Sequence, residues 1–222
     1  MMKIIEQAAA KGQKTLSEYE SRLVIESAGV MVVPAALVKT KDEAVKAAEK
    51  IGYPVVMKGC SAELAHKTEA GMVALNITNA QDAGRVFDEL SAKAKNIDGV
   101  LVEKMVKGSR EFVIGLSRDP QFGPCVMFGL GGIFTEALKD VTFRVAPLTK
   151  DDALEMIDEI KTKKLLGEFR GSPAVDREAL AKALVGIGDL GVKYDAIAEI
   201  DINPLIISQD KPVAVDALVV LK

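Results

Sequence analysis

Residues 52–73 read GYPVVMKGCSAELAHKTEAGMV, and the order of their parts decides how the rest of the chain is read. Pro54 to Gly59 is a short apolar run, rich in β-branched residues and bounded by Gly and Pro, so it predicts a strand. Lys58 stands at its end. A lysine there is costly to bury unless an anion neutralises it. Two readings stay open on this segment alone: a surface lysine that snorkels, and a point charge on nucleotide phosphates. Residues 61–71 are polar and turn-like, and they carry His66, the only histidine in the chain. A lone histidine is commonly structural, but a loop between two strands can present an imidazole rather than bury it. Imidazole is nucleophilic near neutral pH and can take and return a phosphoryl group.

Working outward, cap residues followed three positions later by an acid mark helix starts. Ser17 with Glu20, Thr40 with Glu43, Asn79 with Asp82 and Thr149 with Asp152 each open an amphipathic stretch. The last is expected to run through KDDALEMIDEIKTKKLLG, and a further helix to cover Asp176 to Gly188. Between them lie VPAALV, PVVMKG, MVALNI, VLVEKMV, EFVIGLSR, PCVMFGL, FRVAPL, AEIDINPLIIS and PVAVDALVVL, all strand-like. The last two flank Gln209–Lys211 and predict a hairpin. MVALNI, a helix and VLVEKMV have the lengths of a strand–helix–strand unit. Hairpins mixed with helical crossovers imply an α+β fold, with sheets covered by helices. A weak boundary falls near residues 101–107.

Two more constellations could carry chemistry. Gly129-Leu130-Gly131-Gly132 follows a strand, and glycines there let backbone N–H groups approach an anion. No GKS or GKT follows and the spacing is not GxGxxG, so neither a P-loop nor a dinucleotide fingerprint is present; an ordinary tight turn stays open. In Ala198-Glu199-Ile200-Asp201-Ile202-Asn203-Pro204, alternation puts Glu199, Asp201 and Asn203 on one strand face. Three oxygen-bearing side chains together suit Mg²⁺, and a hairpin can bring Asp216 beside Asn203. The plainer reading is a solvated polar face.

Bulk properties narrow the class. The chain has 222 residues, 49% of them apolar, and a net charge of -3. It is long enough for a sizeable core and lacks the basic field of a nucleic-acid binder. Trp is absent and aromatics are few, which also weakens any base-stacking role. Cys60 and Cys125 match no metal spacing. No apolar run reaches membrane-spanning length, so a cytoplasmic protein with no membrane partner is expected.

Taken in order, GYPVVMKGCSAELAHKTEAGMV, GLGGIFTEALKDVTFRVAPL, LLGEFRGSPAVD and AEIDINPLII resemble the ATP-grasp (β) subunit of NDP-forming acyl-CoA synthetases. These are the ADP-forming acetyl-CoA synthetases and, more distantly, the succinyl-CoA synthetases. The resemblance implies an ATP-grasp domain over residues 1–222, with one subdomain at about 15–105, a second at about 106–222, and nucleotide held between them. It implies ATP or ADP as substrate nucleotide and Mg²⁺ as cofactor. By the same resemblance Lys58 contacts the nucleotide α/β-phosphates, Glu103 and Val106 line the adenine segment, and Glu111 engages the ribose. Asn203 and Asp216 hold Mg²⁺ with Asp201 as accessory carboxylate, Gly131 and Gly132 cradle the travelling phosphate, and His66 is the phosphoryl carrier. A separate CoA-binding α subunit is implied, in an α2β2 heterotetramer. Three departures stand out: Ala62 follows Ser61 where the family has Pro, Ala65 precedes His66 where it has a larger apolar residue, and Met72 replaces a second glycine. The rival reading is a non-catalytic nucleotide-sensing ATP-grasp module that regulates a partner domain.

Overall fold

The computed structural model describes residues 2–62, 70–93, 97–132, 139–169 and 171–222. Two helices open the chain, α1 (Met2–Ala10) and α2 (Glu18–Ser27). The fold then resolves into two compact units: Leu16–Tyr19 with Val33–Val106, and Met1–Thr15, Glu20–Val32 with Lys107–Lys222.

The smaller unit contains β1 (Ala35–Val38), α3 (Lys41–Ile51), β2 (Val55–Cys60), β3 (Val73–Ile77), α4 (Ala80–Lys93) and β4 (Gly99–Lys104). Its sheet has the order β1-β4-β2-β3, every pairing antiparallel. β3 and β4 flank β2 and so run parallel to each other, with α4 as the crossover between them. Thr40 forms a reciprocal capping box with Glu43 at the start of α3, and Asn79 accepts the Asp82 N–H at the start of α4. Both helices cover one sheet face: Val55, Met57, Val100 and Val102 share a core with Ala44, Ala48, Ala83, Val86 and Leu90. The two-residue period then sends Val56, Lys58, Leu101 and Glu103 to the opposite face.

The larger unit contains β5 (Glu111–Asp119), β6 (Gly123–Leu130), β7 (Val141–Val145), α5 (Lys150–Glu159) and a 3₁₀ turn (Lys163–Leu166). α6 (Arg177–Lys193), β8 (Ile197–Ser208), β9 (Lys211–Ala214) and β10 (Leu218–Leu221) complete it. Its antiparallel sheet runs β10-β8-β5-β6-β7, with β9 also paired to β8. Phe112 and Phe128 stack with ring centroids 5.6 Å apart, fully buried beside Ile114, Leu116, Ile200 and Ile202. Among the described residues no helix is long and apolar enough to cross a membrane.

Three elements differ from their sequence expectations. The helix expected to run from Thr149 through Leu166 ends at Glu159, where Ile160 turns extended. The buried carboxylate of Asp140 causes the break to hold: it accepts the N–H groups of Lys161 and Thr162, both at 2.8 Å. α6 does not stop at Gly188 but continues to Lys193. Its glycines are there for close approach: a Cβ on Gly186 would strike the Ala28 carbonyl, and one on Gly191 would strike Leu116. Finally, PVAVDALVVL is two strands rather than one, broken at residues 215–217.

Candidate nucleotide and phosphoryl site

In the smaller unit the strand lysine is buried with counter-ions. Lys58 lies on β2 in register with Leu101, and Glu103 on β4 is in register with Val56, so their side chains meet diagonally on one face. The Lys58 Nζ is 2.9 Å from Glu103 Oε2 and 2.7 Å from Glu18 Oε1. All three side chains are buried, Lys58 at 8% and each glutamate at 2% exposure. The snorkelling reading of Lys58 therefore fails. Val106 is half-buried just beyond the end of β4.

The loop expected to present His66 lies outside the described residues, but its stems are on view. Gly59 donates its N–H to the Met72 carbonyl at 2.9 Å, and the Lys93 ammonium donates to the Gly71 carbonyl at 2.7 Å. Gly71 has φ +62, which suits glycine, whereas Met72 is 2% exposed in the core. The departure at Met72 is thus a packing choice, and the glycine that the backbone needs is retained.

In the larger unit, residues far apart in sequence converge. Gly131 donates its N–H to the Glu111 carbonyl at 2.9 Å, and Gly132 donates to Asn203 Oδ1 at 3.1 Å. Gly132 has φ +66, and a Cβ there would strike the Glu111 carboxylate. Glu111, Gly131, Gly132 and Asn203 form one cluster at the end of β5, β6 and the middle of β8. Residues 133–138, which complete the glycine-rich loop, lie outside the described residues.

Asp201 sits one strand step from Asn203 on the same side of β8, opposite Gly115 on β5 and Leu218 on β10. Burial, then the charges of Glu199 and Asp216, push its carboxyl up to about 6. Asp216 is not on a strand, as the sequence reading had it. It lies in the break between β9 and β10, where Val215 donates its N–H to the Pro204 carbonyl at 3.3 Å. That break keeps Asp216 near enough to Asp201 for their charges to interact.

No group of three or more His, Cys, Asp or Glu is gathered as a metal-holding set among the described residues. Two carboxylates and an amide oxygen nevertheless suit Mg²⁺, which keeps several waters and takes the remaining ligands from phosphates. Burial, and after it the neighbouring acids, raise Asp201, and a bound cation would favour its charged form against both. Sequence reasoning missed Glu18. It lies beside Glu20, the acid assigned to the helix start, and no local pattern separates an acid that caps from one that turns inward.

Comparison with known proteins places the chain in a family. Residues 7–221 match the model of a family described as an ATP-grasp domain. The chain is 46% identical to the β subunit of acetate–CoA ligase [ADP-forming] I of Pyrococcus furiosus, over 98% of this chain and 96% of that subunit. It superposes with a TM-score of 0.94 on the dinucleotide-forming acetyl-coenzyme A synthetase 1 of Ca. Korarchaeum cryptofilum in complex with coenzyme A and Ca-AMPCP. There the identity is 41%, over 99% of this chain and 98% of that one. A second structure of that enzyme, with a phosphorylated phosphohistidine segment, matches with a TM-score of 0.89 and 40% identity, over 99% of this chain and 98% of that one.

Proposed function

The chain belongs to the ATP-grasp domain family, among the β subunits of ADP-forming acyl-CoA ligases, and from this premise we propose how it works. It is the nucleotide-handling subunit of an enzyme that interconverts acyl-CoA, phosphate and ADP with carboxylate, CoA and ATP. The extent of the likeness carries this reading: the chain is matched along 96% of a ligase β subunit rather than over one motif. The sensor alternative has no such support, since the relatives are named as ligases.

In our reading the residues divide the work as follows. Lys58 places a positive charge on the nucleotide phosphates, Glu103 and Val106 line the base segment, and Glu111 meets the ribose. The Gly131–Gly132 turn cradles the phosphoryl group in transit through its lack of side chains, its own N–H groups being held by the Glu111 carbonyl and Asn203 Oδ1. Asp201, Asn203 and Asp216 would hold magnesium, whose chemistry when bound is to neutralise phosphate charge. His66 accepts the phosphoryl group from a histidine of a CoA-binding α subunit and hands it to ADP. Each transfer breaks one P–N bond and forms the next P–N or P–O bond, so no oxidant or reductant enters. Phosphoryl transfer of this kind depends on positioning and charge neutralisation more than on protein covalent chemistry. We assign the protein to the cytoplasm, where CoA and nucleotides meet, in an α2β2 assembly.

The test is direct. The chain is mixed with its CoA-binding partner, acyl-CoA and radiolabelled phosphate, and acid-labile label is sought on this chain. Label is expected on wild type and absent from His66→Ala. Full ATP formation by His66→Ala would sink the relay.

A further inference from the structure

Asn203 carries two assignments that meet on one atom. Its side-chain oxygen Oδ1 is read as a ligand of magnesium, and the same oxygen accepts the Gly132 N–H at 3.1 Å. We propose that Asn203 is thereby a positioning residue for the glycine-rich turn: when Oδ1 takes up the cation it lets go of Gly132, and the freed N–H turns to the phosphoryl group in transit. The inference rests on the reading of Asn203 as a magnesium ligand.

The contact is built by the sheet. β8 takes three steps, from Ile202 to Leu205, where β5 takes two, from Phe112 to Ile114. The extra residue is a bulge, and bulges re-aim side chains beside sites. Asn203 lies in it and reaches the turn after β6. That turn is fixed at two separate places. Gly131 is tied to β5 by its N–H on the Glu111 carbonyl at 2.9 Å, and a Cβ there would strike the Phe112 backbone. Gly132 is tied to β8 through Asn203. Its φ of +66, and the Glu111 carboxylate that a Cβ would strike, keep this position for glycine.

An amide oxygen has two lone pairs, so the outcome is a matter of relative strength. At 3.1 Å the N–H bond to Asn203 is at the long end of the usual range. A hydrogen bond between neutral groups shifts an equilibrium by about tenfold at most. Magnesium holds its oxygens far closer, at about 2.0–2.1 Å, and a dication on Oδ1 repels the partly positive hydrogen aimed at the same oxygen. The cation prevails. Gly131, whose acceptor is a backbone carbonyl outside the metal set, keeps its bond. The turn therefore stays anchored at one residue and opens a donor at the next. It does so only with the cation in place, which is when ADP is ready to receive the phosphoryl group.

Hydrogen exchange at single amides tests this. The full chain is prepared with isotope-labelled glycine, and the Gly131 and Gly132 amides are followed with ADP plus chelator and with ADP plus magnesium. Calorimetry under both conditions reports the ADP affinity. Magnesium is expected to speed exchange at Gly132 roughly two- to tenfold and to leave Gly131 unchanged. In Asn203→Asp a second carboxylate oxygen serves the N–H while the first takes the cation, so magnesium is expected to leave Gly132 unchanged as well. Exchange at Gly132 that magnesium leaves unchanged or slows in wild type overturns the proposal. So does an equal rise at Gly131, or the same rise at Gly132 in Asn203→Asp. Should Asn203→Asp fail to fold, the contrast between the two glycines in wild type decides alone. If magnesium has no effect on ADP affinity, the metal reading falls and this one with it. If it tightens ADP binding while Gly132 stays as it was, only the coupling falls.

Discussion

At the scale of single residues, burial turns ordinary side chains into consequential ones. Asp201 is the clearest case. Its carboxyl is pushed up to about 6 by burial and by the Glu199 and Asp216 charges. An acid with a raised folded-state value holds its proton more tightly in the fold than in the unfolded chain. Its favourable contribution is therefore present at low pH and is lost as pH rises from about 4 to about 6. In magnesium-free buffer, Asp201→Asn is expected to stabilise the chain at about pH 7 by on the order of 1–3 kcal/mol, and to have little effect near pH 4. Thermal melts of both proteins across that range, with chelator present, measure the difference. A stabilisation that grew towards acid pH would contradict the assignment. This shift was not legible in the sequence. Alternation put Glu199, Asp201 and Asn203 on one face and the hairpin was expected to bring Asp216 near, but the burial of Asp201, the largest cause of the shift, is set by tertiary packing.

At the scale of elements, the caps and periodicities read from sequence were reliable where the forces are local. Thr40 and Thr149 form capping boxes that span four residues each, and both were visible as spacing. Elements went astray where a distant group intervened, as Asp140 does at the end of α5. Arg110 is a second such group. Buried, it donates to the carbonyls of Leu165, Gly167, Pro173 and Gln209, at 2.8 to 3.1 Å. It thereby ties the 3₁₀ turn and the stretch after it to the β8–β9 hairpin. A lysine cannot present that planar fork, so Arg110→Lys is expected to cost about 2–4 kcal/mol. Urea unfolding gives the loss, and hydrogen exchange at the Gly167 and Val175 amides locates it. Unchanged exchange there would show that the arginine is not what holds this stretch.

At the scale of the whole molecule, the proposed relay uses two histidines, and these 222 residues hold only His66, so the other is assigned to the CoA-binding subunit. The chain alone is expected to bind magnesium-ADP and to form no ATP from acyl-CoA and phosphate. Addition of the CoA-binding subunit should restore ATP formation, with a complex of two copies of each chain by light scattering. ATP formation by the isolated chain would overturn the division of labour.

The sequence by itself determined the α+β class, the family, nearly every strand, and the residue types offered to a nucleotide. Those features depend on periodicity, capping and motif order, which act over a few residues. Only the tertiary structure decided what Lys58 is. Its two carboxylate partners come from strand β4 and from helix α2, and no spacing along the chain links them. The same holds for the junction of Gly132 with Asn203, seventy-one residues on. Ion pairs and close backbone approaches are fixed by how sheets and helices pack, and packing is a property of the whole chain.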